Sequence, residues 1–238
     1  HQAEFRDDSY LLRLPQDWQP APHPRGEFLA RYRMGDFQTQ ESDEANLPEL
    51  GQVHQRWFRH AGTVAHETLA TLCEQPARLR DSAPDQLIEE LRPLWQLRLS
   101  QAGLNGSSLE KAQEKVEQAI VRTLHCDTGR WLLDASHTAS AAELELHSGG
   151  RELRRNIVDR TFIDADGTRW IIDYKTAEPG AGDTVEEFVA QQLEQYRNQL
   201  ENYRRLFYQQ GEKTIRCALY FPLLQHIAEL PNLAGPNP

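Results

Sequence analysis

The sequence predicts an α/β fold with a helical N-terminal portion. Two observations carry that expectation. Apolar residues recur with a helical period as far as about residue 125, and from Glu143 onward they alternate as in strands. Around Asp164-Ala165-Asp166-Gly167, two runs rich in β-branched and aromatic residues flank a turn-forming break, which is a hairpin signal. A long amphipathic run and one more strand-like run follow it.

Residues 1–60 are polar and irregular, with Pro15, Pro20, Pro22 and Pro24 early and the acidic run Glu41-Ser42-Asp43-Glu44 later. They predict an extended linker or strap, and His1 in place of an initiator Met suggests a segment entered from a longer chain. A helix is expected from Gly62-Thr63, because His66, Leu69, Ala70 and Cys73 fall on one face. A second fits 84–100, with a stripe of Leu87, Ile88, Leu91, Leu94 and Trp95 and a kink expected at Pro93. A third fits 108–125, opened by a capping box Ser107-x-x-Glu110. Glu143-Leu144-Glu145-Leu146 alternates as a strand does, and 157–163 and 168–174 form the hairpin. After Pro179-Gly180-Ala181-Gly182, Thr184-x-x-Glu187 caps a helix over 184–209, whose Val189, Leu193, Tyr196, Leu200, Tyr203 and Phe207 repeat at spacings of four and three. A last strand, 215–221, precedes a Pro-rich tail over 223–238. The expected organisation is a helical portion over 61–135 and an α/β core over 140–222.

Composition narrows the function. With 39% hydrophobic and 26% charged residues, the chain is an ordinary globular one, and no apolar run is long enough to span a membrane. Cys73, Cys126 and Cys217 are scattered with no CxxC pair, which argues against zinc and iron–sulfur frameworks and for reduced thiols in a cytoplasm. Lys and Arg number 26 against 36 Asp and Glu, a net charge of −10. That balance disfavours a broad nucleic-acid surface but leaves room for a local site.

The hairpin carries the chemistry. A loop of Ala165-Asp166-Gly167 pairs Asp164 with Thr168, and counting outward sets Asp159 opposite Asp173; a two-residue loop shifts this by only one position. Lys175 lies two residues on and shares a face with Asp173. Two carboxylates that close repel, and a divalent cation relieves them. A cation so held can bind a phosphate oxygen and acidify a water, with the lysine charge beside it, which is the equipment for phosphodiester hydrolysis. The plainer alternative is a solvated cross-strand Asp–Lys pair contributing a few tenths of a kcal/mol. Against it, Asp173-Tyr174-Lys175 ends the apolar run Trp170-Ile171-Ile172, where charges sit at a sheet's rim. His66 likewise reads either as a core histidine or as a ligand, and Arg151, Arg154, Arg155 and Arg160 either as a DNA-backbone contact or as balance for acidic surface.

Val158-Asp159-Arg160 together with Asp166-Gly167-Thr168-Arg169-Trp170-Ile171-Ile172-Asp173-Tyr174-Lys175-Thr176 resembles the RecB-type nuclease motif of the PD-(D/E)XK superfamily. Tyr196-Arg197-Asn198-Gln199-Leu200-Glu201-Asn202-Tyr203 is similar to that family's QxxxY helix, Gly62-Thr63-Val64-Ala65-His66 to its GTxxH helix, and Ala142-Glu143-Leu144-Glu145 to its acidic strand. The chain thus resembles the C-terminal nuclease domain of RecB/AddA-type, UvrD-like helicase-nucleases. Asp159 follows Val158 rather than the proline that names the superfamily, and the iron–sulfur cysteines of some members are absent. Gln192 and Tyr196 also fit QxxxY one heptad early; Gln199 is preferred because Tyr196 and Leu200 then match the family pattern.

The resemblance implies a restriction-endonuclease-like core, a central mixed sheet flanked by helices. It implies Asp159 and Asp173 as metal-binding acids, Lys175 as the catalytic lysine, His66 and the Tyr174 carbonyl as further ligands, and Gln199 and Tyr203 as the QxxxY pair. Glu143 is expected near the site, acting through water. The implied activity is that of a Mg²⁺-dependent deoxyribonuclease of the exodeoxyribonuclease V kind, with Mn²⁺ substituting. Its implied setting is processing of double-strand breaks and recombinational repair in a bacterial cytoplasm. Single-stranded DNA ends would come from an ATP-dependent helicase upstream in the same chain, with an AddB/RecC-like subunit as partner. No G-x-x-x-x-G-K-[ST] loop occurs in these residues. The rival expectation is a degenerate nuclease fold that only binds DNA or braces a partner.

Overall fold

The computed structural model describes residues 52–148 and 154–231. These belong to the second of the two units into which the chain divides, Glu49–Pro238. The expected strap over 1–60 lies outside the described residues apart from 52–60, as do Arg151, the Arg154 side chain and the end of the tail.

The first helix, α1, spans Gln52–Glu74 and starts well before the expected Gly62. Nothing from Gln52 to Ala61 breaks a helix, and Gly62 marks close packing rather than a terminus. A Cβ there would stand 3.1 Å from Thr176 Oγ1. A short α2, Pro76–Asp81, was not legible in the sequence. Pro84 opens α3 (Pro84–Gln101), which buries Leu87, Ile88, Leu91, Trp95 and Leu99 and runs on through Pro93. In α4, Gly106–His125, Asn105 is the cap residue rather than Ser107. Ser108 Oγ donates to the Asn105 carbonyl at 2.7 Å, so the expected Ser107–Glu110 box is displaced two residues upstream. Asn is as good a cap as Ser, which is why the pattern misled.

A one-and-a-half-turn helix, α5 (Asp127–Leu132), follows at once and was also missed. It turns tightly off α4: the Cys126 thiol accepts the Gly129 N–H at 3.2 Å, and a Cβ on Gly129 would overlap the Thr123 carbonyl.

The five described strands are β1 (Thr138–Ser148), β2 (Arg154–Ile163), β3 (Arg169–Tyr174), β4 (Ile215–Phe221) and β5 (His226–Glu229). They form a mixed sheet in sequence order. Only β3 and β4 run parallel, joined by the crossover helix α6 (Val185–Gln209). The others pair antiparallel. Arg160 pairs with Ile172 and Ile163 with Arg169, the register that the turn predicted. Gly167, at φ +79°, closes that turn, with its N–H on the Asp164 carbonyl. Thr184 caps α6 as expected, its hydroxyl accepting from Glu187 N while Glu187 reaches back to Thr184 N. The region read as tail from 223 contains β5, which pairs with β4 from Phe221↔His226 to Ala218↔Glu229. Four residues are too few to register as a periodic run.

One sheet face packs on α6, where Leu146, Val158, Ile171 and Leu219 meet Leu200, Tyr203 and Phe207. The other meets the helical portion: Arg160 donates to the Leu132 carbonyl at 3.0 Å, and Phe162 packs on Trp131 of α5. Val158 and Arg160 are two residues apart, so a regular strand would put them on one face. Here they face opposite ways, and the inversion falls at Asp159. Across from it, Glu143 of β1 has φ +48°, in the left-handed region. The two strands break their alternation at the same level, and both residues at the break are acids.

Candidate active site

Three groups converge at that break. His66, Glu143 and Asp159 each offer a ligand atom within 4.8 Å of the others. His66 comes from α1, about one turn along from the close approach at Gly62, with its Nδ1 3.5 Å from Asp159 Oδ2. Its ring stands edge-on to Tyr174 at 5.7 Å. On the same helix face, Leu69 and Ala70 are buried, so the predicted face is real and His66 is where it meets the sheet. Asp159 also accepts the Tyr174 N–H at 2.7 Å. That bond replaces a strand ladder bond at the point where β2 and β3 separate.

Asp173 is buried beside this trio. Gln199 Nε2 donates to its Oδ1 at 2.8 Å and to the Tyr203 hydroxyl at 2.8 Å. Tyr203 in turn donates to the Ile157 carbonyl at 2.6 Å, two residues before Asp159. The QxxxY pair therefore ties α6 to both acidic strands. Lys175 Nζ lies 2.8 Å from Asp173 Oδ2. The contact is one of charge, off the hydrogen-bonding direction, so this buried oxygen accepts no hydrogen bond among the described residues. The ammonium rests 3.4 Å from the centroid of the Tyr196 ring. The chain leaving β3 is held on both sides: Lys175 N donates to the Tyr220 carbonyl at 2.8 Å, and Glu178 is bound by the nearly buried Lys115 at 2.8 Å.

The electrostatics follow from crowding acids in partly dry surroundings. Burial, then the charges of Asp159, Glu67 and Asp173, push Glu143 up to about 8. Burial pushes Asp159 up to about 6, with His66 working against the rise and Asp173 adding to it. Burial opposes the charge on Lys175, but Asp173 and Tyr196 outweigh it and hold the ammonium above lysine's ordinary range. The cluster is thus short of positive charge at the His66–Glu143–Asp159 end. A divalent cation fits there: the donors are hard carboxylate oxygens and one imidazole nitrogen, the set that Mg²⁺ and Mn²⁺ accept.

The structure places His66, Asp159, Asp173, Tyr174, Lys175, Gln199 and Tyr203 near one another. Glu143 is grouped with His66 and Asp159, each with a ligand atom within 4.8 Å of the others. Nothing in the alternation of β1 foretells this, because its placement depends on the left-handed backbone. The sequence marks Tyr196 as part of the apolar stripe and of the QxxxY patterns, neither of which foretells its ring on Lys175. Of the two arginines of the Arg cluster whose side chains are described, Arg160 is 1% exposed and bonded inward, and Arg155 balances Glu145 at 3.1 Å.

Comparison with curated proteins finds no match. Among solved structures, the crystal structure of protein VC1899 from Vibrio cholerae is similar at 20% identity and a TM-score of 0.26. The likeness covers 73% of this chain and 47% of that one, so this chain spans about half the length of the structure it matches. The family model described as PD-(D/E)XK nuclease superfamily matches residues 34–229. With most of its length matched, and with a mixed five-stranded sheet behind a helical portion, the chain belongs to the PD-(D/E)XK nuclease superfamily.

Proposed function

We propose that the chain is a divalent-cation-dependent deoxyribonuclease. The observation that carries this reading is the union of two groups at one strand break: His66, Glu143 and Asp159 within 4.8 Å, and Asp173 charge-paired to Lys175 beside them. In a nuclease of this design His66, Glu143, Asp159 and Asp173, with the Tyr174 carbonyl, would hold Mg²⁺ or Mn²⁺. The cation, when bound, supplies Lewis acidity to a phosphate oxygen and acidifies a water. The protein does the rest. Lys175 places a positive charge where the phosphate or the attacking water must sit. Gln199 and Tyr203 fix Asp173 in one rotamer. Tyr174 fixes Asp159 through its N–H.

The finer reading rests on the resemblance of the four motifs to RecB/AddA-type enzymes. On it, the substrate is single-stranded DNA at broken ends, fed by an ATP-dependent helicase upstream and assisted by an AddB/RecC-like subunit, in the cytoplasm of a bacterium. No helix among the described residues is long and apolar enough to cross a membrane.

The test is cleavage of end-labelled single- and double-stranded DNA by the purified chain with Mg²⁺, with Mn²⁺ and with EDTA. Cleavage should require the metal. Asp173→Ala should abolish it, while Lys175→Ala should slow cleavage with metal binding, measured by calorimetry, nearly intact. Equal rates for Asp173→Ala and wild type would show that any cleavage belongs to a contaminant.

A further inference from the structure

We infer that Tyr196 is a positioning residue whose aromatic face holds the Lys175 ammonium in the site. The inference deepens the nuclease reading and rests on it. A lysine chain has four rotatable side-chain bonds and a strongly hydrated head, so an ammonium that must stay at one point needs partners. The described partners of this one are two. Asp173 Oδ2 is 2.8 Å away, but that contact is off the hydrogen-bonding direction. The Tyr196 ring is the other, with Nζ 3.4 Å from its centroid. That lies well inside the range over which a ring face attracts a cation, and the attraction is strongest where water is thinned out. Lys175 has only 17% of its side chain exposed, so the contact is of that sheltered kind.

The placement is built into α6. Tyr196 precedes Gln199 by three residues and Tyr203 by seven, so the three share a helix face. One face therefore supplies the amide that fixes Asp173 and the ring that fixes Lys175. Tyr196 is also packed against the core between α6 and the sheet, which stops the ring from swinging away. Its neighbour Arg197 is held by Glu194 at 2.8 Å and does not compete for the ring. Two QxxxY registers overlap in this helix because both tyrosines are used: Tyr203 against the strand backbone and Tyr196 against the lysine.

The experiment compares Tyr196→Leu, Tyr196→Phe and Lys175→Ala in the full chain by steady-state cleavage, metal calorimetry and thermal melting. A parallel arm labels lysine Cε with ¹³C and assigns Lys175 by the loss of its signal in Lys175→Arg. The ring face should shift the Lys175 signal upfield in wild type and in Tyr196→Phe, and Tyr196→Leu should return it to the bulk position. Tyr196→Leu should lower kcat about 10-fold, within what a sheltered cation–π contact supplies, with KM, metal affinity and melting near wild type. Tyr196→Phe should restore most of the rate, since the ring and not the hydroxyl acts. Wild-type kcat in Tyr196→Leu, alongside a disabled Lys175→Ala, would overturn the inference and leave the nuclease reading standing. Equal loss in the Leu and Phe variants would also overturn it. If wild type cleaves no DNA, the nuclease reading falls, and the Lys175 shift alone decides the contact.

Discussion

Burial and neighbouring charge push Glu143 up to about 8 and Asp159 up to about 6, from ordinary values of 4.5 and 3.8. Both therefore hold a proton more tightly in the folded chain than in the unfolded one. Between about pH 4 and pH 8 the folded state binds the extra protons, so their contribution to stability is fully present at the acid end and is lost as pH rises. Glu143→Gln removes the larger part of this effect. In EDTA, the melting temperature of wild type should fall below that of Glu143→Gln progressively from pH 5 to pH 8. Saturating Mg²⁺ should close the gap, because a bound cation favours the charged carboxylates. Melting curves that stay parallel across this range in EDTA would mean that Glu143 is ordinarily solvated. The left-handed φ of Glu143 belongs to the same picture, since a non-glycine residue is held there only where its surroundings over-determine it.

Short helices and caps decide how the strand break is presented. The turn from α4 into α5 leaves no room for a side chain at Gly129, where a Cβ would meet the Thr123 carbonyl. Gly129→Ala should destabilise the chain by about 2–4 kcal/mol, since backbone must move to make room. Urea denaturation measures this, and a loss under about 0.5 kcal/mol would show that α5 can shift freely. At the start of α6, the reciprocal Thr184–Glu187 bonds satisfy two free backbone donors. Thr184→Ala should cost about 1 kcal/mol, read from the same denaturation curves. Its effect on cleavage should be small, because Gln199 lies several turns further on.

For the whole molecule, charge and site pull in opposite directions. A net charge of −10 offers DNA few phosphate contacts, and the acid cluster repels phosphate when no cation is bound. DNA affinity should be weak in EDTA, rise with Ca²⁺ as an inert stand-in cation, and fall only modestly as salt increases from about 50 to 200 mM, since the slope of log K against log salt scales with the number of phosphates neutralised. Fluorescence anisotropy tests this, and tight binding that ignores both cation and salt would contradict it. The hairpin register was legible because it follows from turn length: once Gly167 closes the turn, Arg160 falls opposite Ile172, and Asp159 and Asp173 are the next residues out on each strand. The α6 cap and its apolar face were legible for the same local reason. The β5 strand, α2 and α5 were too short for any period to show. His66, 93 residues before Asp159, could be named from a motif, but its approach depends on Gly62 letting α1 close on Thr176. What the sequence by itself determined is what neighbouring residues impose on each other: periods, caps, the turn and hence the Asp159–Asp173–Lys175 alignment. Tertiary structure alone decided that β1 and β2 break their alternation together, that Glu143 joins His66 and Asp159, and that Tyr196 covers Lys175. Those placements come from packing α1 and α6 against opposite faces of the sheet, a long-range constraint that no local pattern encodes.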